Sequence, residues 1–253
     1  MKQRRRYPAP LLWEETKNII QNAVLLAGAT LFATWPMFLY QYQHLTGLFS
    51  TSLMTPELLD RLALTQSLIV FLTAFLCALV RFLYAERLSL PRFGGAADIS
   101  FWLPVGLLGG LMLTPVSYWI IDRELLQLTP QVFPNSWSWA LADMLGSALT
   151  QEVLARLGLL TVGIYFLNRW KFVGYPWLAI ALIALLGMVG TYSFLLKFGL
   201  VPKFSTIDLT ILLAQAFLLQ WFFCAIYLRW GFLATVCIHF GLSVKLLIYT
   251  WIF

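Results

Sequence analysis

The sequence predicts an all-α polytopic membrane protein with about seven transmembrane helices, N-terminus inside and C-terminus outside. Three observations predict it. First, the 253 residues are 60% hydrophobic and only 11% charged, with a mean hydropathy of +0.80. Soluble domains carry about a quarter charged residues. This chain cannot cover a folded surface with polar groups, so lipid is the solvent that fits it. Second, apolar runs of about 20 residues, the length that crosses a bilayer, recur along the whole chain. Third, the basic residues behind the net charge of +6 sit between those runs and favour alternate connections. Aromatics reach 16%, with 11 Trp, which suits anchoring at membrane interfaces. No basic stretch is interleaved with aromatics on a polar domain, so nucleic acid is not an expected partner.

The first run, Asn18–Tyr40, follows the basic start "MKQRRR". It is too long for a signal-peptide core, and no small-x-small cleavage site stands behind it. It is expected to be a retained span. No lipidation motif marks either end. Arg61–Tyr84 and Ser100–Ile121 follow. Residues 1–137 therefore hold three helices to which nothing further is assigned. Residues 138–253 hold four more runs, Ser138–Leu167, Gly174–Leu196, Ile207–Leu228 and Gly231–Phe253. Only "RW" separates the last two, which predicts a tight helical hairpin, with one broken helix as the competing reading. No long polar insertion and no internal repeat interrupts the pattern, so the chain reads as a single integrated membrane domain.

Loop charge gives the orientation. With the N-terminus inside, the inner side collects Lys2, Arg4, Arg5, Arg6, Lys17, Arg81, Arg87, Arg92, Arg169, Lys171 and Arg229. The outer side has Arg123, Lys197 and Lys203. The expected location is a bacterial cytoplasmic (inner) membrane or an equivalent internal membrane. The three cysteines, Cys77, Cys224 and Cys237, all lie inside apolar runs with no metal-ligand spacing. They read as small buried hydrophobes.

Five charged or titratable residues fall at bilayer depth: Asp143, Glu152, Arg156, His239 and Lys245. A charge there costs roughly 2.5–3.5 kcal/mol on insertion scales, so it turns toward a bundle interior or a cavity. Glu152 and Arg156 are one turn apart on one helix face, acid before base, which is the favourable order. Glu152 lies about 14 residues from the outer start of its run, and His239 about 14 from the outer end of its own. At 1.5 Å per residue both sit roughly 20 Å deep, so they can meet across helices. Asp143 and Lys245 form a shallower set that can pair, or Lys245 can snorkel. Asp143 is on the opposite side of its helix from Glu152, so a paired-carboxylate site is not expected. One His and one Glu fall short of the three protein ligands of a catalytic zinc site. No cofactor or metal is expected.

These residues carry a resemblance. The stretch "TQEVLARLGLL" resembles the first motif, E-E-x-x-x-R, of the CPBP (CAAX protease and bacteriocin-processing) family of intramembrane endopeptidases. The closing "WGFLATVCIHFGLSVKLL" resembles the family's last motif, a histidine followed four residues later by Asn or Asp. The resemblance covers Ser138 to the C-terminus. It implies a protease core in which glutamate and histidines activate a water that attacks a scissile carbonyl. Carried over by position, the first glutamate falls on Gln151, the second on Glu152, the arginine on Arg156, the histidine on His239 and its partner on Ser243.

The chain departs from that pattern twice. Gln151 is not a useful general base. The family's middle motif, F-x-x-x-H, has no counterpart, because the only histidines are His44 and His239. Thr191, Tyr192 and Ser193 are the nearest polar substitutes. The resemblance therefore implies a non-catalytic descendant, a pseudoprotease that binds or scaffolds a transmembrane or lipidated peptide partner. The first alternative is an active endopeptidase with a reduced site, Glu152 and His239 serving as acid and base, supported by Gln151 as oxyanion donor, Arg156 and Ser243. The second is a proton-coupled channel or transporter subunit.

Overall fold

A computed structural model describes residues 13–45, 55–84, 88–91, 93–128, 130, 133–170, 176–197 and 199–252. Every regular element among them is helical. In chain order they are α1 (Trp13–Leu45), α2 (Pro56–Tyr84), α3 (Ala96–Ser117), a π-turn (Tyr118–Asp122), α4 (Arg123–Leu128), α5 (Trp137–Glu152), a π-helical segment (Val153–Leu160), α6 (Thr161–Arg169), α7 (Pro176–Lys197), a 3-10 turn (Val201–Lys203), α8 (Thr206–Trp230), α9 (Phe232–Leu242) and α10 (Lys245–Ile252).

Six candidate spans are long and apolar enough to cross a bilayer among the described residues. They are Glu15–Gln43, Pro56–Tyr84, Ala96–Ile120, Pro176–Leu196, Thr206–Trp230 and Phe232–Ile252. The expected span Ser138–Leu167 is not one of them. The chain is helical without interruption from Trp137 to Arg169. Gln151, Glu152 and Arg156 dilute its apolarity, and a π-helical segment divides it. Pro115 deprives α3 of one backbone N–H, and three residues later that helix also widens into a π-turn.

The packing is that of a protein solvated by lipid. Large apolar side chains point outward: Phe32 is 81% exposed and Met112 74%. Small residues line the contacts. Along α1, Ala23, Ala27, Thr30, Thr34 and Met37 are buried, and along α2 Ala63, Ser67, Val70, Ala74 and Ala78. Those three-to-four-residue spacings form one stripe on each helix, and α1 and α2 pack extensively. The buried hydroxyls are satisfied within their own helices, Thr30 donating to the Leu26 carbonyl and Ser67 to Ala63.

Glycines bring the backbones of α3 and α9 close together. A Cβ on Gly110 would lie 2.2 Å from the Gly241 carbonyl oxygen, and one on Gly241 would lie 2.2 Å from the Gly106 carbonyl carbon. Gly106 and Gly110 make a small-xxx-small pair, and only hydrogen fits at these crossings.

α8 and α9 are separated by Gly231 alone, at φ +95°. Phe223 and His239, at equal distances before and after that glycine, stack with ring centroids 4.5 Å apart. The chain folds back there as a hairpin, so the broken-helix reading is set aside. The last run is itself broken at Ser243, which caps α9 before α10 begins.

Of the basic residues that set the expected orientation, Lys2, Arg4, Arg5, Arg6, Arg87, Arg92 and Lys171 lie outside the described residues. Arg81 is not a solvated loop charge. It is 4% exposed, and its Nε donates to the Tyr227 hydroxyl at 2.7 Å.

Candidate functional site

The Glu152 side chain closes α5 at the point where the π-helical segment starts, with no exposed surface. Its two oxygens have different partners. Oε2 lies 3.1 Å from Arg156 Nε, an ion pair between two side chains of zero exposure. Oε1 lies 2.7 Å from His239 Nδ1 of α9. The matched depths of the two runs are thus realised as a contact across helices. An Arg156 Nη1 donates to the Gln151 carbonyl at 3.4 Å. The guanidinium carbon stands 5.4 Å from the Phe223 ring centroid, and the same ring stacks on His239 with an interplanar angle of 19°. Phe223 of α8 therefore contacts both cationic-type partners of Glu152. Thr161 caps the arrangement: its hydroxyl donates to the Arg156 carbonyl, five residues back, at 3.4 Å. That carbonyl lies in the π-helical segment, whose wider turn frees it from the regular α pattern.

The chemistry follows from the geometry. A buried carboxylate is tolerable when it is paired and hydrogen-bonded. Glu152 is hydrogen-bonded to the imidazole and ion-paired with the guanidinium, and it joins α5 to α9, while Phe223 of α8 packs on both partners. The His239 side chain retains 11% exposure, so the imidazole, not the carboxylate, is the part of the cluster nearest to the exterior.

The other expected site residues lie elsewhere. The Gln151 side chain is exposed; its oxygen accepts from Gln220 Nε2 of α8 at 3.5 Å. It is not turned inward beside Glu152, as an oxyanion donor would be. Ser243 does reach His239, but its hydroxyl donates to the backbone carbonyl at 3.0 Å and not to the ring. Four residues along a helix, a serine hydroxyl reaches that carbonyl more readily than a side chain. Thr191 donates to the Gly187 carbonyl, while Tyr192 and Ser193 are exposed. His44 lies at the end of α1, beyond the described side chains.

Asp143 and Lys245 do not pair. Asp143 accepts from Gln41 Nε2 of α1 at 3.0 Å. Lys245 Nζ instead meets Asp122, 3.0 Å from Oδ1 and 2.8 Å from Oδ2. Ser117 and Tyr249 donate to the same Oδ2, at 2.5 and 2.7 Å. Burial alone would raise the Asp122 carboxyl. The Lys245 charge and the hydrogen bonds from Lys245, Ser117 and Tyr249 outweigh it and hold the group below its ordinary value. Asp122 sits just past the third expected run, where it reads as a border residue. The signal for this cluster was Tyr249, four residues after Lys245 and so on the same helix face.

Among the described residues, no three His, Cys, Asp or Glu side chains converge as metal ligands would. The fold and its lipid-facing surface define a polytopic membrane protein. No family model, no curated protein and no solved structure matches the chain.

Proposed function

We propose that this chain is a membrane scaffold with a CPBP-like core, crossing the bilayer a seventh time through the helix Trp137–Arg169 and so oriented N-in and C-out, that binds a membrane partner and does not cut it. One observation carries the reading. Glu152 has no exposed surface: its Oε1 is hydrogen-bonded to His239, and its Oε2 is buried against Arg156 at ion-pair distance, without an aligned hydrogen bond. A general base must reach the water it activates. This carboxylate is committed to tying α5 to α9. The position that would hold the family's first glutamate is Gln151, which is exposed and bonded to Gln220.

That amide pair supports the partner half of the proposal. Gln151 lies near the middle of the helix Trp137–Arg169, and the Gln220 amide oxygen has no hydrogen-bond partner among the described residues. Amides at bilayer depth hydrogen-bond across helices. A transmembrane helix can meet the exposed Gln151 side chain directly, whereas the Gln220 oxygen is buried.

The test is hydrolysis by the purified chain in liposomes, with transmembrane and prenylated peptides as substrates. The proposal expects the same background release for wild type, Glu152→Gln and His239→Ala. Cleavage that disappears in both variants contradicts it. That outcome would favour the reduced-site endopeptidase, for which the 2.7 Å Glu152–His239 contact is the supporting observation.

A further inference from the structure

A second constellation lies at the end of the bundle where α2 and α8 finish and α3 and α9 begin. A cavity of about 750 Å³ opens there, within the size range of small-molecule sites. Pro91, Phe93, Asp98, Arg229 and Trp230 are among its walls. The lining residues before α3 fall between the candidate spans Pro56–Tyr84 and Ala96–Ile120, and those on α8 are the last three of Thr206–Trp230. The cavity therefore sits at the depth of lipid headgroups, not of acyl chains.

Its walls are fixed by the fold. Buried Arg81 donates to the Pro91 carbonyl as well as to Tyr227, which ties the connection to the end of α8. The Leu233 N–H donates to the Phe93 carbonyl at 3.1 Å, which ties it to the start of α9. Gly94 turns the chain at φ +105°, where a Cβ would come within 3.0 Å of the Leu233 Cβ.

The charges on these walls are complementary but apart. The Arg229 guanidinium lies 5.0 Å from the Trp230 ring centroid, and Trp230 packs on Trp102 at 4.9 Å. Asp98 accepts the Gly95 N–H on Oδ2 at 2.7 Å. Among the described residues, Asp98 and Arg229 form no ion pair with each other or with a third residue. A ligand with one negative and one positive group would satisfy both. An anionic lipid would meet repulsion at Asp98. A quaternary ammonium draws its affinity from an open aromatic face, but Arg229 already lies over Trp230. A primary ammonium can donate directly to Asp98.

We propose that this cavity seats the headgroup of a zwitterionic aminophospholipid, with its phosphate on Arg229 and its ammonium on Asp98. The probes are phosphatidylethanolamine, phosphatidylcholine and phosphatidylglycerol, added to the full-length protein in detergent and counted by native mass spectrometry. Wild type retains phosphatidylethanolamine over phosphatidylcholine by about tenfold, the worth of one charge-assisted hydrogen bond. Asp98→Asn erases that preference; its amide oxygen still accepts from Gly95, so the start of α3 survives. Arg229→Gln weakens retention of all three lipids. Equal retention of the lipids by wild type overturns the proposal, as does an unchanged preference in Asp98→Asn. Soluble glycerophosphoethanolamine is the further arm. If it displaces the lipid at millimolar concentration, the cavity reads a soluble headgroup and the assignment to lipid fails.

Discussion

Glu152 and Arg156 have no surface in contact with solvent, so each neutralises the other in a place neither could occupy alone. Removing one partner of such a pair leaves an uncompensated charge and costs about 3–5 kcal/mol. Arg156→Met and Glu152→Leu should each lower the unfolding midpoint in detergent sharply. The double variant should recover part of the loss, because an apolar pair of similar volume often replaces a buried ion pair at little cost. Additive losses would mean that the two side chains do not act as a unit. Asp122 gives a pH dependence. Its folded value is depressed, so its contribution to stability is present at neutral pH and is lost as pH falls through the carboxylate range and its lowered value. Wild type should exceed Asp122→Asn in stability at neutral pH, and the gap should close on acidification. A gap that holds constant with pH would remove Asp122 as the titrating group. At this scale the sequence was partly legible. Depth counted along two helices brought Glu152 to His239. The same counting failed for Lys245, because its acid lies just past the end of a run, on a π-turn that no spacing rule anticipates. It also could not tell a serine that reaches an imidazole from one that reaches a carbonyl.

The helices meet through small residues, and glycines bring α3 and α9 close together. Gly241→Ala should be destabilising, because its Cβ would fall 2.2 Å from the Gly106 carbonyl carbon. Gly190→Ala is the internal control. Nothing lies within 4 Å of its Cβ, so it should be neutral or gain the helix propensity of alanine, up to about 1 kcal/mol. Unfolding midpoints in one detergent decide between them, and equal effects would mean that α3 and α9 do not pack as described. Apolar run length made most helices visible in the sequence, since about 20 apolar residues can scarcely be anything else. It did not show the π-helical segment after Glu152. Within that segment Gly158 lies against Cys77, where a Cβ would come 2.4 Å from the sulfur, a contact that run length does not show. Nor did it decide between hairpin and broken helix at Gly231, which Phe223 and His239 settle by stacking.

The whole molecule places its polar groups where helices must be tied. Gln41–Asp143 joins α1 to α5, Glu152–His239 joins α5 to α9, Arg81–Tyr227 joins α2 to α8, and Lys245–Asp122 joins α10 to the end of α3. Asp143, Glu152, His239 and Lys245, all expected at bilayer depth, are thereby accounted for as ties between elements. The side chain of Gln151 is a polar group exposed near the middle of its helix beside that core, which is why a partner helix is proposed for it. The general membrane character was legible from composition. The partner was not, because recognition by a helix face rests on a few side chains whose orientation only the fold supplies. The most direct measurement is purification from native membranes in mild detergent, with co-purifying proteins identified for wild type and Glu152→Gln. The scaffold account predicts a partner in stoichiometric amount and at full length with wild type. A partner that is shortened with wild type and full length with Glu152→Gln would contradict it, and would make Glu152 the residue on which cleavage depends.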